Sequence, residues 1–376
     1  MQRAESREQR AESREQRAES REQRAESGEQ RAESRKQRAE SGKQRAESRE
    51  QRAEHGMKLI DSAYALMDKK SIRYATVAAI LAIAAVLPAL FKDYALNVLC
   101  NAMFYMLLAL GLNIIVGYSG LCDLGYAAKF AVGAYTTGIL IKTFQWNFWL
   151  TLPVSIVISI AAAVVIGAPT LKLRSDYLAI VTLGFAEIVR ITARNLSITG
   201  SASGLNGITR PSLFGVHLTS YRHWFYVYLV LIILFVIISN RVRHSRFGRA
   251  LAFIREDEDA AQAMGVNTTL FKLYAYILGA VLGGVTGSFY AVQMTSISPS
   301  SFDFTKSVNV LLAVILGGMG KVPGVILGAA FFAIFPEVFR DIPVIGNMRM
   351  LFFGILLVVV MITRPQGLWP DRRGRR

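Results

Sequence analysis

Four ionisable side chains stand inside long apolar stretches of this sequence. Asp123 lies in "SGLCDLGYAAKF", Lys129 follows six residues on, and Glu187 and Arg190 share "TLGFAEIVRI". A charge in hydrocarbon is costly, so such residues mark a substrate or ion path, or else a paired structural charge. Glu187 and Arg190 are three apart and can neutralise each other on one helix face. Lys129 has the alternative of snorkelling to an interface. The histidines His55, His217, His223 and His244 are scattered, and no H-E-x-x-H or C-x-x-C spacing occurs, so no metal site is expected. A membrane enzyme would need a clustered nucleophile or His/Asp/Glu set, which the chain does not offer. Cys100 and Cys122 sit beside or within apolar runs and read as small apolar fillers rather than a disulfide.

A second set of polar residues is collected in "HSRFGRALAFIREDEDAAQAMGVN", His244 to Asn267, between two apolar segments. From Gly248 to Met264 there is no proline or internal glycine, and Ala, Arg, Leu and Glu favour a helix. Gly265 is placed to stop it. Ala250, Leu251, Ile254, Ala261 and Met264 can form an apolar or small face. Arg249, Arg255, Asp257, Glu258 and Asp259 then remain available to water or a partner.

The elements that position these residues belong to lipid. The chain has 376 residues, 52% of them hydrophobic, and a net charge of +16. A soluble basic protein would be less apolar, and no basic stripe on a polar domain suggests nucleic acid. The fold class is an all-α polytopic membrane protein of about ten transmembrane or re-entrant helices. The apolar segments lie near 74–91, 95–117, 121–141, 147–168, 176–194, 222–240, 272–294, 304–319, 322–340 and 349–364. A full crossing takes about 20 apolar residues, so the 121–141, 176–194 and 304–319 pieces are expected to be tilted, broken or re-entrant among neighbours. Basic clusters precede the first segment (Lys58, Lys69, Lys70, Arg73) and follow the fourth (Lys172, Arg174), sixth (Arg241, Arg243, Arg246, Arg249, Arg255) and tenth (Arg364, Arg372, Arg373, Arg375, Arg376). An even count of crossings puts all four on one side, which the positive-inside rule assigns to the cytoplasm, together with both termini. Gly279, Gly283 and Gly287 form one stripe of small residues, and Gly320, Gly324 and Gly328 another. Such stripes let helix backbones approach closely in lipid.

The organisation is therefore a transmembrane domain at 74–364 with a charged loop at 241–271, a cytoplasmic N-terminal stretch at 57–73 and a basic tail at 365–376. Ahead of it, residues 1–56 repeat "QRAES" every seven residues, with 15 Lys+Arg against 13 Asp+Glu. Alanine is the one apolar residue per repeat, so no coiled-coil seam exists. Like charges fall three and four apart, as at Arg3 and Arg7 or Glu8 and Glu12, which opposes a single helix. Disorder is expected. Met57 is expected to be the initiator and the repeat to be translated tandem DNA, which N-terminal sequencing of native protein checks.

"DAAQAMG", Asp259 to Gly265, fits the E-A-A-x-x-x-G core of bacterial ABC importer permeases, with Asp at the first position. "GLNIIVGYSGLCDLGYAAKFAVGAYTTGIL" at 111–140, "DYLAIVTLGFAEIVRI" at 176–191, "SRFGRALAFIREDEDAAQAMGVN" at 245–267, "GGMGKVPGVILGA" at 317–329 and "RPQGL" at 364–368 widen the match. Across residues 70–370 or so the chain resembles the M-type (LivM) permease of the branched-chain amino acid ABC importer. Lys129 stands where that family leads one to expect an aromatic residue. Asp259 keeps the charge of the usual Glu on a shorter arm, and "GKVPG" replaces a tryptophan-containing form.

The resemblance implies that Arg249, Arg255, Asp257, Glu258, Asp259, Ala260, Ala261 and Gly265 belong to a short cytoplasmic coupling helix that sits in a groove on an ATPase subunit. It implies a bacterial inner-membrane location and four kinds of partner: a second, H-type permease, two cytoplasmic ATPase subunits, a periplasmic amino-acid-binding protein, and lipid. ATP and Mg are expected on the ATPase subunits and no cofactor on this chain, which has no G-x-x-x-x-G-K-[ST] phosphate loop. The implied cargo is leucine, isoleucine and valine. Related permeases carry urea, amides or other amino acids, and an ion-coupled secondary transporter would use Glu187 or Asp123 as a coupling carboxylate.

Overall fold

The computed structural model describes residues 91–171, 175–213 and 216–338, with isolated positions at 88, 354, 358, 362 and 367. The expected heptad repeat, the 57–73 stretch, nearly all of the first and tenth segments, Lys172, Arg174 and the basic tail lie outside the described residues.

Ten α-helices are described: α1 Asp93–Leu112, α2 Tyr126–Phe144, α3 Phe148–Thr170, α4 Ser175–Asn195, α5 Tyr221–His244, α6 Arg246–Glu256, α7 Glu258–Ala263, α8 Thr268–Met294, α9 Phe304–Gly317 and α10 Val322–Val338. Asn113–Tyr118 continues α1 as a π-helix. Four of these helices are long and apolar enough to cross a membrane: α1 with its π extension, α3, α5 and α8, at 26, 23, 24 and 27 residues.

These four divide into two kinds. The apolar windows of α1 and α8 are 78% and 72% buried within the chain, against 28% and 33% for α3 and α5. The glycines of α8 explain its place at the centre. A Cβ at Gly279 would meet Ile115 of α1 at 2.5 Å, and one at Gly287 would run into the Phe130 carbonyl of α2. In the other stripe, the backbone of Gly324 lies against Gly317, and a Cβ at Gly328 would strike Gly317 and Ala313 of α9. Gly320 sits in the turn before α10 with φ +83°. Outside, α3 and α5 expose Val157, Val165, Val230 and Ile237, side chains that suit lipid.

Two of the three helices expected to be irregular, α2 and α9, begin inside the bundle. The backbone amide of Ala127 in the first turn of α2 donates to Ser307 Oγ in the first turn of α9, at 2.9 Å. The chain reaches α2 through the irregular 119–125 segment, where Leu124 N donates to Thr182 Oγ1 and Gly125 N to Asp123 Oδ1. It reaches α9 through a 3-10 turn at Pro299–Phe302, whose Phe302 ring packs 4.6 Å from Phe130. Non-helical backbone at this depth is tolerated because protein groups satisfy it.

Among the described residues, four short strands lie at the bundle end away from the charged loop. Leu205–Asn206 pairs antiparallel with Ser296–Ile297, and Ser212–Leu213 with Val216–His217. Trp149 at the start of α3 donates to the Ser212 carbonyl at 3.1 Å, tying α3 to this end.

Candidate functional site

The charged loop is two helices rather than the single run expected from Gly248 to Met264. Ser245 caps α6 by accepting from Gly248 N at 3.1 Å. The helix then breaks at Asp257, whose φ of −154° is extended and whose carboxylate accepts from Ala260 N at 2.9 Å to open α7. The sequence hides this break because Asp257 carries both a helix-compatible charge and a capping oxygen, and capping wins. Gly265 ends α7 with φ +83°. Its N–H bonds Gln262 O at 3.0 Å and the next, from Val266, bonds Ala261 O at 3.1 Å, the paired pattern of a glycine-terminated helix. Asn267 immediately caps α8 through Leu270 N.

The loop's charges are not all free, as the sequence had suggested. Arg255 Nη1 donates to the Gly117 carbonyl in the π-helical end of α1 at 2.6 Å. Its Cγ lies over Gly120, and its Nη1 lies beside Gly320. Gly320 N in turn donates to Asn113 Oδ1 at 2.8 Å, so one guanidinium, the π-helix and the 318–321 turn form one junction. Glu258 forms an ion pair with the buried Lys272 of α8. Arg249 reaches back to the His244 carbonyl at 3.2 Å. Of the expected apolar face, Leu251, Ile254 and Ala261 are buried and Ala250 is half-buried, but Met264 is 76% exposed. With Phe253, Glu256 and Asp259 it makes the outward surface of the loop, while Ala260 stays partly covered. Lys272 and Asn113 were not singled out in the sequence. A lone lysine at the head of an otherwise apolar helix was the available signal.

Within the bundle, Asp123 and Lys129 form a buried ion pair. Lys129 does not snorkel. Its ammonium lies 3.8 Å from the centroid of the Tyr276 ring, a cation–π contact. Tyr126, from the same turn, donates to the Gly279 carbonyl at 3.1 Å. The pair thus clamps the irregular 119–125 segment to α2 and α8. Glu187 and Arg190 pair on α4, with Arg190 Nε 3.0 and 3.1 Å from the two carboxylate oxygens and Nη2 bonded as well. The structure does not bring the two pairs into one site. A recess of about 390 Å³ lies between α2, α3 and α4, lined by Val132, Tyr135, Ile139, Ile158 and Val189 among others. Its wall on α4 is made by Ile188, Val189, Thr192 and Ala193, with Leu196 just past the helix end.

A profile described as the permease component of the branched-chain amino acid transport system matches residues 94–361. The chain belongs to this permease family. It is 39% identical over 319 residues to the high-affinity branched-chain amino acid transport system permease protein LivM of Salmonella typhimurium, covering 78% of this chain and 74% of the relative. The LivM protein of Escherichia coli K12 is 38% identical over the same shares. The LivH permease of E. coli K12 is a more distant relative, 23% identical over 70% of this chain and 90% of its own. No solved structure matches. As a member of the branched-chain amino acid permease family, the chain is a membrane-embedded, multi-pass protein, and α3 and α5 carry exposed apolar surfaces of the kind that suit lipid.

Proposed function

We propose that the chain is the membrane-spanning M-type subunit of an ATP-driven importer that moves leucine, isoleucine and valine across the bacterial inner membrane. It works beside a homologous H-type permease, two ATPase subunits that hold ATP and Mg, and a periplasmic binding protein. The loop 245–267 faces the cytoplasm and is the coupling element, in a bundle of about ten crossings with both termini on that side. The observation that carries this reading is the loop's two-sided construction. Arg255 and Glu258 bind inward to α1 and α8, while Phe253, Glu256, Asp259 and Met264 point outward.

A lever needs both sides. The outward side must grip the motor, and exposed Met and Phe suit a groove because they adapt to its shape. The inward side must resist slipping. A hydrogen bond from a charged donor, as from Arg255, is worth about 1.5–3 kcal/mol when well made. When ATP closes the ATPase pair, the docked loop moves. Arg255 then passes the motion to the π-helical end of α1, and Glu258 passes it to α8. These are the two most buried long helices, so the displacement reaches the centre of the bundle rather than its rim. Selectivity resides largely in the binding protein, and a weakly apolar passage lets a zwitterion with an aliphatic tail leave again.

The test is reconstitution of this chain with its second permease, ATPases and binding protein in proteoliposomes. ATP-dependent leucine uptake, competed by isoleucine and valine, is expected. Competition by urea or amides instead would change the cargo. Uptake driven by a proton or sodium gradient without ATPase subunits would replace the reading with a secondary transporter. In the same system Gly265→Leu, which forces a side chain into the left-handed region at a cost of about 1–2 kcal/mol, is expected to weaken ATPase association while the permease still inserts.

A further inference from the structure

The outer helices do not all offer lipid the same surface. α3 and α5 expose aliphatic side chains, and their sequences hold no charge between Phe148 and Thr170 or between Trp224 and Asn240. α4 buries Leu178, Ala179, Thr182, Ala186 and Ala193, and turns outward Tyr177, Ile180, Gly184, Glu187, Ile188 and Ile191. A side chain placed at Gly184 would meet nothing within 4 Å. Glu187 and Arg190 lie 12 and 15 residues into this 21-residue helix. At 1.5 Å per residue that is about 18–22 Å along an axis of roughly 31 Å. Both remain open, at 41% and 24% of their side-chain surface. With α4 placed in the membrane bundle as the importer reading requires, lipid chains cannot solvate an exposed ion pair that far from either helix end, and residues of this kind face a bundle interior or a water-filled cavity.

We infer that the outward face of α4 borders the aqueous passage and that Glu187 and Arg190 receive the two charges of an α-amino acid zwitterion. This rests on the importer reading above. Arg190 uses Nε and Nη2 on Glu187 and leaves Nη1 without a hydrogen bond among the described residues, so it can meet a carboxylate while the pair holds. The Glu187 carboxylate offers its remaining lone pairs to the ammonium. In passing, the cargo exchanges partners with a pair whose own charges cancel, and the Asp303 carboxylate that caps α9 acts on Arg190 as well, so the guanidinium is never left bare in the membrane. The flanking Ile188 and Ile191 offer apolar contact to an aliphatic tail. The geometry also assigns Gly184 a purpose: it leaves width beside the pair.

The test uses the assembled four-component transporter in proteoliposomes, with Cys100→Ala and Cys122→Ala removing native thiols. Gly184→Cys and Ile191→Cys are expected to react with a charged, water-soluble methanethiosulfonate. Val230→Cys on α5 is expected to react with a lipophilic maleimide and not with the charged reagent. If Gly184→Cys and Ile191→Cys behave like Val230→Cys, α4 faces lipid and the inference is overturned. Arg190→Gln is expected to lower leucine uptake at limiting leucine about tenfold, the loss of one charge-assisted contact, with the complex still assembled. Uptake at the parental rate in Glu187→Gln/Arg190→Gln would also overturn it. Labelling is read without transport, so a parent that labels as expected but shows no ATP-driven uptake fails the importer reading alone.

Discussion

Two ion pairs, one between residues six apart and the other between residues three apart, have opposite settings. Asp123 and Lys129 are 0% and 4% exposed, whereas Glu187 and Arg190 are 41% and 24% exposed. The first joins an irregular segment to a helix and is sealed by the Tyr276 ring. The second lies along one helix and faces outward. A sealed pair is a fastening, because removing one partner strands the other charge. An open pair is a surface, whose partners can be exchanged. The Glu258–Lys272 pair falls between, with Lys272 4% exposed and Glu258 47% exposed. Burial, and not membership of an ion pair, distinguishes the three, and the roles proposed for them (structure, transmission and contact with cargo) follow that order.

The largest effect should come from breaking the sealed pair. Asp123→Ala leaves the Lys129 ammonium buried and is expected to cost about 3–5 kcal/mol. Thermal unfolding of the purified permease in detergent reads this, and Asp123→Asn with Lys129→Met should recover most of the loss. Recovery would show that charge imbalance, rather than lost packing, is the cause. Arg255→Ala comes next. It is expected to leave insertion intact and to reduce leucine uptake several-fold while ATP hydrolysis continues, so that hydrolysis per leucine moved rises. A coupling ratio equal to the parent's would show that motion does not pass through Gly117. Glu258→Gln should destabilise by about 1–3 kcal/mol through the buried Lys272 left behind, again read by thermal unfolding. The smallest stability effect belongs to the open pair. Glu187→Gln/Arg190→Gln is expected to shift stability by about 0.5 kcal/mol or less, and a shift as large as that of Asp123→Ala would erase the distinction between the pairs.

Much of the architecture was legible before any coordinates. The apolar segments expected near 147–168, 222–240 and 272–294 are α3, α5 and α8 within a few residues, because composition and length alone mark a lipid-crossing helix. The (i, i+3) pair at Glu187 was legible because both residues lie on one regular helix. The Asp123–Lys129 pair was not, since six residues separate its members and they meet through a segment with no period to read. The inward role of Arg255 was hidden for a related reason. Its partner is a backbone carbonyl 138 residues away, and a carbonyl has no letter in the sequence. The exposure of Met264 was missed because an apolar residue at helical spacing ordinarily points inward, and the break at Asp257 changes the phase of everything after it.

The π-helical stretch at Asn113–Tyr118 has one further consequence. Each π turn holds an extra residue relative to an α turn, so the stretch is a dislocation in an otherwise regular ladder. A dislocation can migrate by exchanging hydrogen bonds one at a time, and each residue it passes turns by about 100° about the axis while the helix on either side keeps its place. Gly117, where Arg255 grips α1, lies inside that stretch. A pull at the loop can then be stored as a turn of the few side chains the dislocation passes, with no helix leaving its neighbours. Amide exchange at 113–118 that quickens when ATP is added to the assembled transporter would record such steps.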